Sequence, residues 1–225
     1  MKTRRSLFMA GAAGILIALS ARPTAAQWNV ARYDSSSTMV YTSYGLEPSI
    51  VGAIGMARTT PRFGGSQVAA EAGWVVAGLD VRDFRGRVSA RTTAVRWRSL
   101  RLTGEGALSA RGTTNTIYRA LGIGAAANAT LGVYRPRWFA GTEAGYDKNV
   151  ATHLTHTDWY RTYYYADAKD GWYGGVGGTI HYGVTGGAVL GPMELMSRAG
   201  FLKTERFDDM VPPVYVSIGV GFRMR

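Results

Sequence analysis

The feature that most limits what this chain can become is an alternation of period two, sustained over segments of about 10–18 residues. The last segment is the clearest. Val214, Val216, Ile218, Val220, Phe222 and Met224 fall on one face, while Tyr215, Ser217, Gly219, Gly221, Arg223 and Arg225 fall on the other. Successive side chains of a strand point to opposite sides, so one face is oily and the other small and polar. The same split runs through 117–133, where Leu121, Ile123, Leu131 and Val133 oppose Tyr118, Gly122, Gly124 and Asn128. It returns in 138–153, 172–190, 194–201 and 67–76.

Soluble strands usually run about 5–6 residues, whereas a strand crossing a bilayer needs about 9–11 for the hydrocarbon alone. No window after residue 27 holds 18 consecutive apolar residues, so a transmembrane helix is not expected. Trp138, Trp172 and Tyr173 fall near segment ends, where interfacial aromatic girdles belong. The expected fold is therefore all-β, a transmembrane antiparallel up-and-down β-barrel. Loop lengths alternate as such a barrel requires: 205–213 and 155–171 are long, 190–193, 134–137 and 97–98 are short, and 111–115 is intermediate. Adding 86–96, 67–80, 50–58 and 38–45 gives ten strands, with eight plus an N-terminal extension as the alternative. The final strand would run down to a periplasmic C-terminus.

The N-terminus reads as an export signal. Met1 to Arg5 is basic, Leu7 to Leu19 is apolar, and Thr24-Ala25-Ala26 offers small residues for cleavage before Gln27. Residues 1–26 are expected to be removed and 27–225 to form one barrel domain. Thr3-Arg4-Arg5-Ser6-Leu7-Phe8 also resembles a twin-arginine motif, so the export route stays open between the two systems. The net charge of +11 includes four cations of this segment (Lys2, Arg4, Arg5, Arg22), leaving +7 on the rest. Those charges are spread, the densest group being Arg91, Arg96, Arg98 and Arg101, so nucleic acid is not an expected partner. Absence of cysteine excludes disulfide scaffolds, thiolate metal sites and a lipid anchor on an N-terminal Cys.

Through these segments, and most strongly through Val214 to Arg225, the chain resembles the small bacterial outer-membrane β-barrels of the OmpA/OmpX and OmpW groups. The resemblance implies a Gram-negative outer membrane, contact with its lipid and lipopolysaccharide, and delivery by the barrel assembly machinery. Phe222 is followed by Arg223-Met224-Arg225, a departure from the terminal aromatic of such barrels. No functional motif carries over.

Barrels of eight to ten strands are filled by their own side chains. Glu71, Arg96, Arg101, Glu105, Glu143, Asp147, Glu194, Arg198 and Arg223 are expected to point inward, with His181 among them, as an ion-pair network plugging the lumen. The competing reading is a narrow, porin-like diffusion path. Glu194 and Arg198 are four apart on one strand, so their partners are expected on adjacent strands. A second cluster, His153, His156 and Asp158 with Asp208 in the next loop, suits general acid–base work and resembles the Asp/His sites of omptin-type proteases in residue types alone. An outer-membrane protease or lipid A-modifying enzyme is the rival from that cluster, and a soluble lipocalin-like barrel the rival on location. Neither a metal site nor a cofactor is expected. Trp159, Tyr160, Arg161, Tyr163, Tyr164 and Tyr165 read as headgroup-level aromatics or as a contact surface for an extracellular protein or glycan.

Overall fold

The computed structural model describes residues 28–33, 36–47, 49–61, 65–76, 82–175 and 177–224; the expected signal segment 1–26 lies outside them. A 3-10 turn, Val30–Arg32, is followed by strands β1 (Ser37–Glu47), β2 (Ser49–Thr60), β3 (Ser66–Val75), β4 (Phe84–Trp97), β5 (Leu100–Thr114), β6 (Tyr118–Arg135) and β7 (Trp138–His156). Helix α1 (Asp158–Tyr163) and the short β8 (Gly171–Gly174) come next, then β9 (Gly178–Leu190), β10 (Met193–Thr204) and β11 (Asp209–Met224). Each strand pairs antiparallel with its chain neighbour, β9 takes the place beside β7, and β1 pairs with β11 to close the ring. Ten strands thus form a closed up-and-down barrel, and β8 merely extends the upper end of β7. Both ends of the described chain, Trp28 and Met224, lie at one mouth, the termini end; α1 and β8 sit at the other, the loop end.

The alternation decides which way each face points. On β11, Val216, Ile218, Phe222 and Met224 are exposed, while Tyr215, Ser217, Gly219, Gly221 and Arg223 are buried. The pattern continues round the wall with Ile54, Val68, Val88, Leu108, Leu131 and Val184 all outward. Trp97, Trp138 and Phe222 stand outside near the termini end, and Tyr44, Trp74, Phe84, Trp172 and Phe201 outside near the loop end. A continuous apolar wall between two aromatic rings is far more exposed hydrocarbon than a monomer keeps in water. Among the described residues no helix is long and apolar enough to cross a membrane.

Two β-bulges interrupt the alternation and decide where His153 and Arg96 lie. On β7 the register slips at Val150, so Asn149 and Thr152 both face inward and His153, paired with Leu121, faces out. His153 therefore leaves the inner face that carries Glu143 and Asp147. On β4 a slip between Thr93 and Val95 brings Arg96 opposite Arg101, one pair from the turn. Arg101 is buried, but Arg96 is solvent-exposed and stands at the rim of the mouth rather than inside the barrel. The long 205–213 connection is also shorter than expected. β11 starts at Asp209, where Lys203 Nζ donates to its carboxylate at 2.7 Å, and Thr204 Oγ1 accepts from the backbone N–H groups of Arg206 and Asp208.

Candidate functional site in the barrel lumen

The lumen is organised by a simple steric device: an aromatic side chain on one strand lies across a glycine on the next and reaches a carboxylate beyond it. Tyr41, Gly55 and Glu71 form one row across β1, β2 and β3, and the Tyr41 hydroxyl donates to Glu71 at 3.1 Å. A Cβ on Gly55 would overlap the Tyr41 ring. Tyr215, Gly200, Gly183 and Glu143 form a longer row across β11, β10, β9 and β7. With two glycines bare, the Tyr215 hydroxyl reaches Glu143 at 2.6 Å. Arg198 uses the same gap, its guanidinium meeting Glu143 at 2.6 Å with β9 in between. Its partner is thus two strands away rather than adjacent, because Gly183 leaves the intervening wall empty.

Charges fill the interior in tiers. In the middle, Glu105 accepts from Arg87 at 2.9 Å and is also paired with Arg91. Asp147 faces His181 Nδ1 at 3.2 Å, and the His181 ring meets Tyr215 edge-on. Between them Arg87, Glu105, Asn128, Asp147, His181 and Arg198 enclose a cavity of about 10 Å³, room for about one water molecule. His181 Nε2 is buried without a protein partner, and Asn128 Oδ1 likewise, so both suit that water. Nearer the loop end, Arg111 is bidentate to Asp83.

At the termini end the segment Trp28–Tyr33 enters the barrel, with Trp28, Asn29, Val30 and Tyr33 buried there. Glu194 is its anchor. This carboxylate is 1% exposed and accepts from Arg32 at 2.9 Å, from Arg223 at 2.9 Å and from the backbone N–H of Asn29 at 3.3 Å. Arg101 donates to the Val30 carbonyl at 2.6 Å, Asn29 Nδ2 to the Arg135 carbonyl at 2.7 Å, and the Tyr33 hydroxyl to Gln67 at 2.7 Å. Trp28 packs on Tyr41 at 5.2 Å between centroids, and Tyr134 stacks on Phe139 at 5.5 Å, giving an apolar core inside the barrel. The sequence reading missed this segment, as well as Arg85, Arg87, Arg91 and Arg111. The arginines were legible, since Arg85, Arg87 and Arg91 alternate with Gly86, Val88 and Ala90.

At the loop end the expected His/Asp cluster is taken apart. His153 lies on the outer wall with its ring against the edge of Trp172 at 5.2 Å. His156 pairs with Asp170 rather than Asp158: Asp170 accepts from the His156 backbone N–H at 2.8 Å and faces its Nδ1 at 3.0 Å. The other Asp170 oxygen takes Arg161 at 2.5 Å. Those contacts, the His156 backbone N–H foremost and then Arg161, hold the Asp170 carboxyl below the usual carboxylate range. Asp158 is fully exposed at the start of α1, and Asp208 belongs to the β10–β11 turn. Of the aromatic run, His156, Tyr160 and Tyr164 stack in sequence at 5.4 and 5.9 Å, while Trp159 touches Tyr163 and Tyr164, with Tyr163, Tyr164 and Tyr165 exposed. Among the described residues no group of three His, Cys, Asp or Glu is placed to hold a metal ion.

No family model matches the chain and no curated protein matches it, so the resemblance to the OmpA/OmpX and OmpW groups stays at barrel architecture. Among solved structures the chain is similar to the KdgM porin, with a TM-score of 0.42 and 7% sequence identity over 83% of this chain and 99% of that chain.

Proposed function

We propose that the chain is an integral protein of a Gram-negative outer membrane, with both ends of the barrel chain in the periplasm, whose lumen is sealed and whose work is done by its wall and its loop-end surface. The observation that carries this is the contrast between an apolar exterior and an interior in which Glu71, Glu105, Glu143, Asp147 and Glu194 each meet an arginine, a hydroxyl or an imidazole, with Trp28–Tyr33 seated beneath them. A conducting path would need water where these groups now satisfy one another. Lipopolysaccharide and the barrel assembly machinery are the partners this location implies, and the exposed Tyr163, Tyr164 and Tyr165 are the surface open to an extracellular protein or glycan.

Two measurements test it. The folded protein from outer-membrane fractions migrates faster on SDS gels unboiled than boiled. In planar bilayers the wild-type barrel shows no sustained conductance, and deletion of residues 28–33 opens steady channels. The second reading is a narrow porin-like path. It draws on the surplus of buried arginines, seven (Arg85, Arg87, Arg91, Arg101, Arg111, Arg198, Arg223) against five buried carboxylates among the described residues, which would favour anions. Steady anion-selective conductance of the intact protein establishes that reading over the sealed one.

A further inference from the structure

The outer wall carries a groove at the loop end that the sealed-lumen reading leaves unexplained. Its volume is about 210 Å³, and Phe84, Gly112, Thr114, Arg119, Leu121, His153 and Thr155 are among its walls. Register explains its construction. Thr114, Arg119 and Thr155 lie in one row across β5, β6 and β7, on the outward face. The next row toward the membrane centre holds Phe84, Gly112, Leu121 and His153, continued by Trp172 on β8. The upper row thus offers a guanidinium and two hydroxyls. The lower row offers hydrocarbon and ring faces.

The lower row is built to stay open. Gly112 has no side chain, and the Phe84 ring lies down over it; a Cβ there would overlap that ring. His153 reaches this face through the Val150 bulge, and its ring is steadied by the edge of Trp172. Below both rows the wall is apolar on β4, β5 and β6, with Val88, Leu108 and Ile123 exposed, and Lys148 of β7 stands beside Ala125 with its ammonium turned to Glu205 at 3.4 Å. The nearby Asp83 carboxylate is held by Arg111 from the inner face, so it does not cancel the charge of Arg119.

We propose that this groove binds one phosphorylated glycolipid of the outer leaflet: a headgroup phosphate on Arg119 with His153 beside it, sugar hydroxyls on Thr114 and Thr155, and an acyl chain down Leu121 and Ile123. Charge complementarity and the polar-over-apolar order of the rows select an amphiphilic anion, because a soluble anion would leave the lower row uncovered. A guanidinium–phosphate contact at the edge of hydrocarbon is the strong, charge-assisted kind. The inference rests on the outer-membrane reading for which leaflet the groove meets.

Native mass spectrometry of the detergent-solubilised barrel with added lipid A tests it, with phosphatidylglycerol and inorganic phosphate as separate arms. Wild type retains one lipid A, and Arg119→Gln weakens retention about tenfold or more, the usual effect of losing a charged hydrogen-bond partner. Arg58→Gln, exposed on the outer wall of β2 toward the termini end, leaves retention unchanged. Gly112→Val, which displaces Phe84 into the groove, lowers it independently, so the test survives if one variant fails to fold. Equal retention of phosphatidylglycerol, competition by millimolar inorganic phosphate, or retention unchanged in both groove variants overturns the proposal. Heat-modifiability of each variant, measured alongside, reports the barrel itself, so loss of the lipid site and loss of the membrane-barrel reading give different gels.

Discussion

The two ends of the barrel each gather donors around one carboxylate, in different surroundings. At the termini end Glu194 is 1% exposed and collects two arginines and a backbone N–H, around an apolar cluster that includes Trp28, Tyr33, Tyr41 and Met196. At the loop end Asp170, itself partly exposed, collects His156 and Arg161 in a similar three-point arrangement. The number of contacts is the same; the surroundings are not. A buried carboxylate with fixed donors must keep all of them, because losing one leaves a charge stranded out of water. Beside solvent, the same contacts compete with water and salt and serve mainly to order a loop.

The largest expected effect breaks the buried side of this pair. Glu194→Ala should destabilise the folded barrel by about 3–5 kcal/mol, the usual result of removing one member of a buried ion cluster. The urea midpoint for loss of the fast-migrating band measures it, and a shift under a quarter of that would show the termini end to be solvated. Next comes the middle tier. Gly200→Val places a side chain against Tyr215 and the Tyr182 carbonyl, and should cost about 1–3 kcal/mol by overpacking. Replacement at Gly104, where a Cβ meets nothing within 4 Å, should leave the midpoint in place.

Smaller effects lie at the loop end. Asp170→Asn should leave the urea midpoint unchanged yet speed proteolytic nicking within 157–177, since it removes a lock on the loop and not on the wall. Undiminished protease resistance would show that α1 orders itself. The pH dependence has a definite sign. A carboxyl whose pKa is depressed on folding stabilises above its unfolded value and loses that contribution as pH falls through the folded one. Asp170 is depressed, so loop protection should persist through mildly acidic pH and fail only in strong acid. Failure already near neutral pH would show that the Asp170 carboxylate does not hold the loop.

How much of this was legible in the sequence follows from how local each cause is. The faces of β11 and β6 could be read from alternation alone, because burial there depends on parity within one strand. The ten-strand count followed from the same signal. The Val150 bulge was not legible, since an extra residue exists only relative to the partner strand, and it is what turns His153 onto the outer wall, away from His156 and Asp158. Arg96 was misplaced for a related reason, its face being right but its depth along the barrel invisible. The tyrosine–glycine–carboxylate rows need register across three or four strands, so Tyr215 and Glu143, 72 residues apart, carry no mutual signal. Trp28–Tyr33 has no alternation, and its anchor lies 165 residues away.

One consequence of Arg223 concerns how the molecule is put together. Its Nη2 holds Glu194, the anchor of the inner segment, while its Nη1 donates to Ser37 at 2.6 Å, on the first strand of the ring. A single guanidinium therefore spans the β1–β11 seam and the seat of Trp28–Tyr33. Shutting the ring thus also fixes, through Arg223, the carboxylate on which Arg32 and the Asn29 backbone N–H of the inner segment sit.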